Sequence, residues 1–388
     1  MPATDLTVDL VESRFDRQER ITWWDQNRLS AGRVLVVGAG ALGNEIVKNL
    51  VLVGIGSVVV VDFDVVESSN LSRCVFFRPE DEGLYKAEVL ARRANELSPA
   101  TTVHALTCDI RALGSGIAYR ADVMVGGLDS RESRLHLNRM AWRSGRPWVD
   151  GAIEGLYGVA RVFSPSDSCY ECTLTDADYA LLSHRQSCRL LSHDELAHGK
   201  VPTTATTSSV VAGVQVQEVI KLLHRPRDGV TLLRDALVFD GANNDAYPLR
   251  YPRRADCLAH ETFADPIVVG ADRGTTFRSL VESSGIGDSS RVELSADHLT
   301  AWRCTACQRS WAASGVVAMA TFDDSRCPDC DGARQPVTTT AVEVPGVHAD
   351  RSLADLGVAR DEVFAIRLGP ESRYVWATES SHLPEGWR

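Results

Sequence analysis

Residues 33–43 read RVLVVGAGALG and residues 58–73 read VVVVDFDVVESSNLSR. The first run is apolar and β-branched up to Val37 and then turns on Gly38, Gly40 and Gly43. That is the pattern of a buried parallel strand, a tight glycine turn and the start of a helix. Glycines in such a turn let backbone amides approach a phosphate, and the helix N-terminus adds a positive dipole. The second run is another buried strand that ends on Asp62, where an acid can take ribose hydroxyls.

A glycine loop followed by an acid suits a nicotinamide dinucleotide as well as ATP. The residues beyond Asp62 separate the two. Asp64, Asn70 and Arg73 follow closely, Lys86 opens a helical pattern (KAEVLARRANEL), and Asp129 follows the strand ADVMVGG. A triphosphate needs cations of the Arg and Lys kind to neutralise it, whereas a hydride-transfer cofactor has no use for them. Asp129 stands at a strand's C-terminal end, the side on which open α/β sheets bind ligands.

Outward from this core, residues 33 to about 152 alternate apolar strands with amphipathic helices, which predicts a mostly parallel sheet. Strands are expected near 33–37, 57–62, 102–106, 122–126 and 147–151, and helices at 42–54, 86–97 and 131–144. After Asp150 the pattern changes to strands joined by glycines (AIEGLYGVARVFS). A long helical run, ATTSSVVAGVQVQEVIKLLH, carries small and apolar residues on most faces. It is expected to be buried or at a dimer interface.

Ten cysteines in 388 residues would suit disulfides only in a small secreted domain. Here six of them form CxxC pairs, which read as metal sites. Cys304, Cys307, Cys327 and Cys330 make two knuckles with aromatics between them, the pattern of a structural zinc ribbon that four thiolates close. Cys169 and Cys172 form a further chelating pair that needs two more ligands. A redox role is the competing reading of that pair.

The bulk properties exclude other classes. The net charge of −11 argues against a nucleic-acid binder, and 44% apolar residues allow a substantial core. No apolar run is long enough to span a bilayer. The acidic, polar start MPATDLTVDLVESRFDRQER does not read as a secretory signal, so a cytoplasmic location is expected.

Taken as an ordered set, RFDRQ at 14–18, GAGALG at 38–43, DFDVVESSNLSR at 62–73, Lys86, GLDSRESR at 127–134 and the Cys169–Cys172 pair resemble the ubiquitin-activating superfamily of adenylating enzymes, of the ThiF/MoeB/HesA type. The resemblance covers residues 14 to about 260. One departure is Cys74, where the family usually has Gln. It implies an α/β, Rossmann-like adenylation domain at 1–263, with 264–388 as a C-terminal module that contains the ribbon (304–330).

The resemblance also implies roles. ATP would bind over Gly38, Gly40 and Gly43 with its ribose on Asp62. Asn70, Arg73 and Lys86 would hold the triphosphate, with Asp64 nearby, and Asp129 would bind Mg²⁺. An arginine of the RFDRQ motif reaches a partner protomer's ATP in the family. Arg17 matches best and Arg14 second, so a homodimer is expected. Zn²⁺ would be held by Cys169, Cys172, Cys257 and His260, a Cys3His set where the family has a second CxxC. The activity implied is adenylation of the C-terminal carboxylate of a ubiquitin-like or sulfur-carrier protein, with a conjugating enzyme or a sulfurtransferase downstream. Cys188, flanked by His184, Arg185 and Arg189, matches a cysteine that takes the acyl group in some members. An incidental cysteine is the competing reading. Two other classes stay open here: a non-catalytic scaffold that pairs with an active relative, and a nicotinamide or flavin oxidoreductase.

Overall fold

The computed structural model describes residues 13–179, 202–225, 230–287, 289–321 and 323–388. The chain starts with two short helices, α1 (Asp16–Glu19) and α2 (Gln26–Ala31), and then builds an eight-stranded sheet. Its first part alternates β1 (Arg33–Val37), α3 (Ala41–Val53), β2 (Ser57–Val61), α4 (Lys86–Leu97), β3 (Thr102–Leu106), α5 (Gly116–Arg120), β4 (Val123–Gly126) and α6 (Arg131–Ser144). It continues through β5 (Trp148–Glu154), β6 (Tyr157–Phe163), α7 (Ala205–Leu223), β7 (Asp235–Asp240) and β8 (Asp245–Leu249).

The strand order is β3-β2-β1-β4-β5-β6-β7-β8, parallel through β5 and antiparallel beyond it. The central strands β1, β2 and β4 read as continuous apolar runs because helices cover both faces. On one face, α3, α4 and α7 bury Val34, Val36, Val58 and Val60. On the other, α5 and α6 bury Leu35, Val37, Val59 and Met124. Each side therefore takes alternate residues of the same strand. The order turns between β1 and β4, so the C-terminal ends of β1, β2 and β4 open onto one crevice, the usual ligand position in such a sheet.

Helix α7 is not apolar all round. Thr207, Ser208, Val211, Gln215, Val216 and Val219 are buried, while Thr206, Val210, Gly213 and Gln217 form an exposed stripe.

The rest of the chain forms a second sheet from β9 (Ile267–Gly270), β10 (Ser290–Cys304), β11 (Ser310–Ala312), β12 (Arg334–Val344), β13 (Glu362–Leu368) and β14 (Glu371–Thr378), with helix α8 (Phe277–Ser283) against it. Its order is β11-β10-β13-β14-β9, with β12 also paired to β10. The run SLADLG at 352–357 forms turns. Its few residues before Gly357, at φ +65°, are too few to offset the cost of nucleating a helix.

The two sheets meet along a buried seam. The Gly116 amide donates to the Asp361 carbonyl at 2.8 Å, and Gly114 lies so close to the Arg360 carbonyl that a Cβ there would sit 1.9 Å from its oxygen. Phe263, Val363 and Ala365 close the seam with Tyr119, Tyr374 and Trp376 packed against them. The end of the chain returns to the first sheet. Trp387 is fully buried there, and its indole N–H donates to the Ser57 hydroxyl at 2.7 Å.

Candidate functional site

The glycine loop sits at the mouth of the crevice, and two of its glycines are demanded by geometry. Gly38 has φ +101°, and a Cβ there would meet the Gly127 carbonyl oxygen at 2.4 Å. A Cβ on Gly43 would lie 1.9 Å from the Gly38 carbonyl oxygen. Gly40 differs: nothing lies within 4 Å of where its Cβ would stand, and it is the N-cap of α3 without a side-chain cap. The thirteen-residue helix thus starts at an open, uncapped glycine with no acid in its first turn, the setting that suits a phosphate group. Asn44, fully buried, braces the loop by donating to the Ala39 carbonyl at 2.8 Å and accepting from the Phe76 amide at 3.0 Å.

Asp62 directly follows β2 and faces this loop. One carboxylate oxygen accepts the Ala39 amide at 2.6 Å and the other the Asp64 amide at 2.8 Å. Burial raises its pKa, and those two amides together with Lys86 pull part of the rise back. Lys86, at the start of α4, pairs with the Asp64 carboxylate at 2.7 Å. Asn70 is buried and its side-chain oxygen accepts the Glu67 amide at 2.9 Å, capping the turn that carries Arg73. Arg73 in turn donates to the Ser69 carbonyl. Burial pushes the Cys74 thiol up to about 11, and Arg73, Lys86, Asp62 and Glu45 all lie within electrostatic reach of it. These charges therefore share one neighbourhood.

Asp129 stands just past β4. It is exposed, and its carboxylate has no hydrogen-bond partner among the described residues. Asp129 follows Gly127, which packs against Gly38 of the glycine loop, and an exposed carboxylate there is a ligand type that suits a hard divalent cation.

Arg14 and Arg17 lie elsewhere. Phe15 packs against Gly54 and Gln18 donates to the Val53 carbonyl at 3.0 Å, so α1 covers the C-terminal end of α3. The length of α3 puts it about 20 Å from Gly40. Arg14 donates to the Leu97 carbonyl at 3.2 Å, while the exposed Arg17 guanidinium has no partner among the described residues. Within one chain the structure does not bring either arginine to the glycine loop. Cys188 lies outside the described residues.

Two cysteine clusters complete the picture. In Cys169, Cys172, Cys257 and His260 the ligand atoms all lie within 4.8 Å of one another. The Cys169 sulfur is 3.7 Å from that of Cys172 and 3.6 Å from that of Cys257, and Cys172 is 3.2 Å from His260 Nε2. Thiolates around a tetrahedral zinc at ~2.3 Å would stand roughly 3.8 Å apart, so the set fits the metal. Trp142 of α6 stacks on the His260 ring at 4.4 Å and orients it. In the second sheet Cys304, Cys307, Cys327 and Cys330 gather likewise, with sulfur separations of 3.6 and 3.8 Å. The Cys307 amide pulls the Cys304 thiol down to about 6, toward the thiolate that a zinc ligand requires. No disulfide forms among the described cysteines.

Reading the sequence missed the residues that brace the crevice: Asn44, Arg134, Asp150, Arg161 and Gln215. The available signal was polar residues inside otherwise apolar stretches, as with Gln215 in VVAGVQV and Asp150 within β5.

The chain compares with known proteins as follows. A model of the ThiF family matches residues 15–259. The SAMP-activating enzyme E1 of Haloferax volcanii is 31% identical over 265 residues, covering 65% of this chain and 91% of that protein. The Nedd8-activating enzyme E1 catalytic subunit of Drosophila melanogaster is 26% identical over 413 residues, covering 88% of each. Among solved structures, Escherichia coli MccB crystallised with ATP superposes with a TM-score of 0.52 at 21% identity, covering 64% of this chain and 74% of that one. The family model spans the glycine loop, Asp62, Lys86, Asp129 and the first three zinc-site cysteines together, and on that match the chain belongs to the ThiF family, within the ubiquitin-activating-type superfamily.

Proposed function

We propose that this protein uses ATP to adenylate the C-terminal carboxylate of a ubiquitin-like or sulfur-carrier protein, most simply one that ends in glycine. The observation that carries this reading is the uncapped start of α3 at Gly40, open on its Cβ side, with Asp62 bonded to the neighbouring Ala39 amide and with Arg73 and Lys86 in the same electrostatic neighbourhood. Its relatives are named as activating enzymes of the E1 kind, one for SAMP and one for Nedd8.

In this mechanism the amides at Gly40 and Ala41 cradle phosphate oxygens, and the second lone pairs of the Asp62 oxygens take ribose hydroxyls. Arg73 and Lys86 turn from the Ser69 carbonyl and the Asp64 carboxylate to the triphosphate, and Asp129 would hold a divalent cation, which would supply further charge neutralisation at the phosphates. The carrier's carboxylate oxygen attacks the α-phosphorus, the bond to the β-phosphate oxygen breaks, and pyrophosphate leaves with its electron pair. Positioning and charge stabilisation suffice for this step. Arg17 would serve the site of a second protomer, since its own loop is a helix length away. Where an acyl–enzyme forms, the Cys188 thiolate attacks the activated carbonyl and AMP leaves.

Carrier-dependent ATP–pyrophosphate exchange tests the proposal. Label from pyrophosphate should enter ATP only when the cognate carrier is present, and removing its terminal glycine should stop it. Exchange absent with every small β-grasp protein encoded beside this chain would reject the reading.

A further inference from the structure

Asp129 owes its position to clamps on the peptide units before it. The Gly126 carbonyl accepts from the buried Gln215 side chain at 2.9 Å, and the Gly127 amide donates to the Val37 carbonyl at 2.8 Å. The Leu128 carbonyl accepts from the Arg134 guanidinium, one residue before the acid. On the other side, the Ser130 hydroxyl accepts the Ser133 amide at 3.0 Å and caps α6.

Arg134 is the member of this set that reaches furthest. Its Nε donates to Asp150 at 3.0 Å, and the nitrogen that holds Leu128 also donates to the Gly151 carbonyl at 3.1 Å. Asp150 is fully buried, and its second oxygen is paired with Arg161 at 2.6 Å. The Arg161 guanidinium stacks over the Tyr170 ring at 5.3 Å, next to the Cys169 and Cys172 cluster. One planar guanidinium therefore ties the segment just past β4 to the middle of β5 with donors in fixed directions. A lysine could not copy that arrangement. The same segment carries the Gly127 carbonyl against which Gly38 packs.

We propose that Arg134, oriented by Asp150, is a positioning residue that holds Asp129 at the distance from the phosphate cradle where a divalent cation can bridge the two. The inference rests on the adenylating reading above. Arg134 touches neither nucleotide nor metal. It acts through the Leu128 carbonyl, and its removal lets the Asp129 carboxylate wander.

The test is nucleotide binding by calorimetry on the full chain, once with ATP and magnesium and once with ATP and chelator. Arg134→Lys should weaken binding of the magnesium-loaded nucleotide roughly 10- to 100-fold, the usual effect of removing an outer-shell partner, and leave metal-free ATP binding unchanged. In an Asp129→Ala background Arg134→Lys should add nothing further to the metal-dependent part, because both act through one carboxylate. Equal loss with and without metal, or no loss, overturns the inference while the adenylating reading stands. Should Arg134→Lys fail to fold, Asp150→Asn keeps the volume and frees the guanidinium. It should show the same metal-selective loss, and its absence overturns the proposal. A wild-type chain that binds ATP under neither condition overturns both.

Discussion

The Arg120 guanidinium lies 2.8 Å from the Asp361 carboxylate, a residue 241 positions later in the chain. Both side chains are buried at the seam between the two sheets. The other Asp361 oxygen accepts the Trp376 indole N–H at 2.9 Å, and Arg120 stacks over that same ring at 4.5 Å. Each charge is thus paired and hydrogen-bonded, the condition under which burying it is tolerable. Asp361→Ala leaves Arg120 charged and dry, and breaking a buried pair from one side costs about 3–5 kcal/mol. Thermal unfolding should show a drop of many degrees. Arg291→Ala, which breaks an exposed pair with Glu343, should hardly move the midpoint. Equal shifts in the two variants would remove the pair from the account of the seam.

Glu362, next in the chain, makes the seam pH-sensitive. Burial raises its carboxyl above the usual range, and bonds from Ser115 and the Val363 amide together with Arg143 offset only part of this. A carboxyl raised in the folded state binds a proton there that the unfolded chain releases. Stability is therefore unaffected below the unfolded value near 4.5 and falls as pH rises from there to the folded value. Glu362→Gln should raise the melting temperature at neutral pH, with the gain vanishing below about pH 4.5. A gain independent of pH would contradict this.

Metal content gives a count. Two zinc ions per chain are expected from the two four-residue clusters. His260→Ala should lower the stoichiometry toward one and Cys307→Ser should do the same independently, as read by elemental analysis of chelator-washed protein. One zinc in the wild type would reject the two-site reading. Because a structural zinc contributes roughly 10–16 kcal/mol in small domains, loss from the ribbon should also unfold the segment around Cys304–Cys330, visible as new protease cleavage there.

Asp129→Ala should abolish pyrophosphate exchange and leave the melting temperature unchanged, since the side chain is exposed and makes no hydrogen bond among the described residues. Exchange near the wild-type rate would take Asp129 out of the mechanism.

Cys188→Ala should keep pyrophosphate exchange and lose any thiol-sensitive adduct with the carrier. In the proposed mechanism the adenylate forms on the glycine-loop side, and the thiolate is needed only to displace AMP afterwards. An adduct that survives points to another cysteine, with Cys74 or Cys108 next in line. Burial pushes both thiols up to about 11. Wild type that gives no adduct with its true carrier would mean that the enzyme stops at the adenylate.

Much of the architecture was legible in the sequence because local patterns dictate it. Continuous apolar runs such as Val58–Val61 belong to strands covered on both faces. The period of KAEVLARRANEL marks α4 at Lys86–Leu97, and CxxC spacing brings two thiolates together whatever surrounds them.

Beyond local pattern, position in the sequence determined little. Nothing in RESR or WVDG announces that Arg134 and Asp150 will meet under Leu128, or that Arg120 will find Asp361. An Arg or Asp on paper is by default a solvated surface group. What a charge does is set by whether water reaches it and by which partner replaces the water. That partner comes from another strand or helix, brought there only when the sheets close. The composition of the site was therefore written in its motifs. The bracing of the Leu128 carbonyl just before Asp129, and the seam that locks the second sheet to the first, were decided by the tertiary packing.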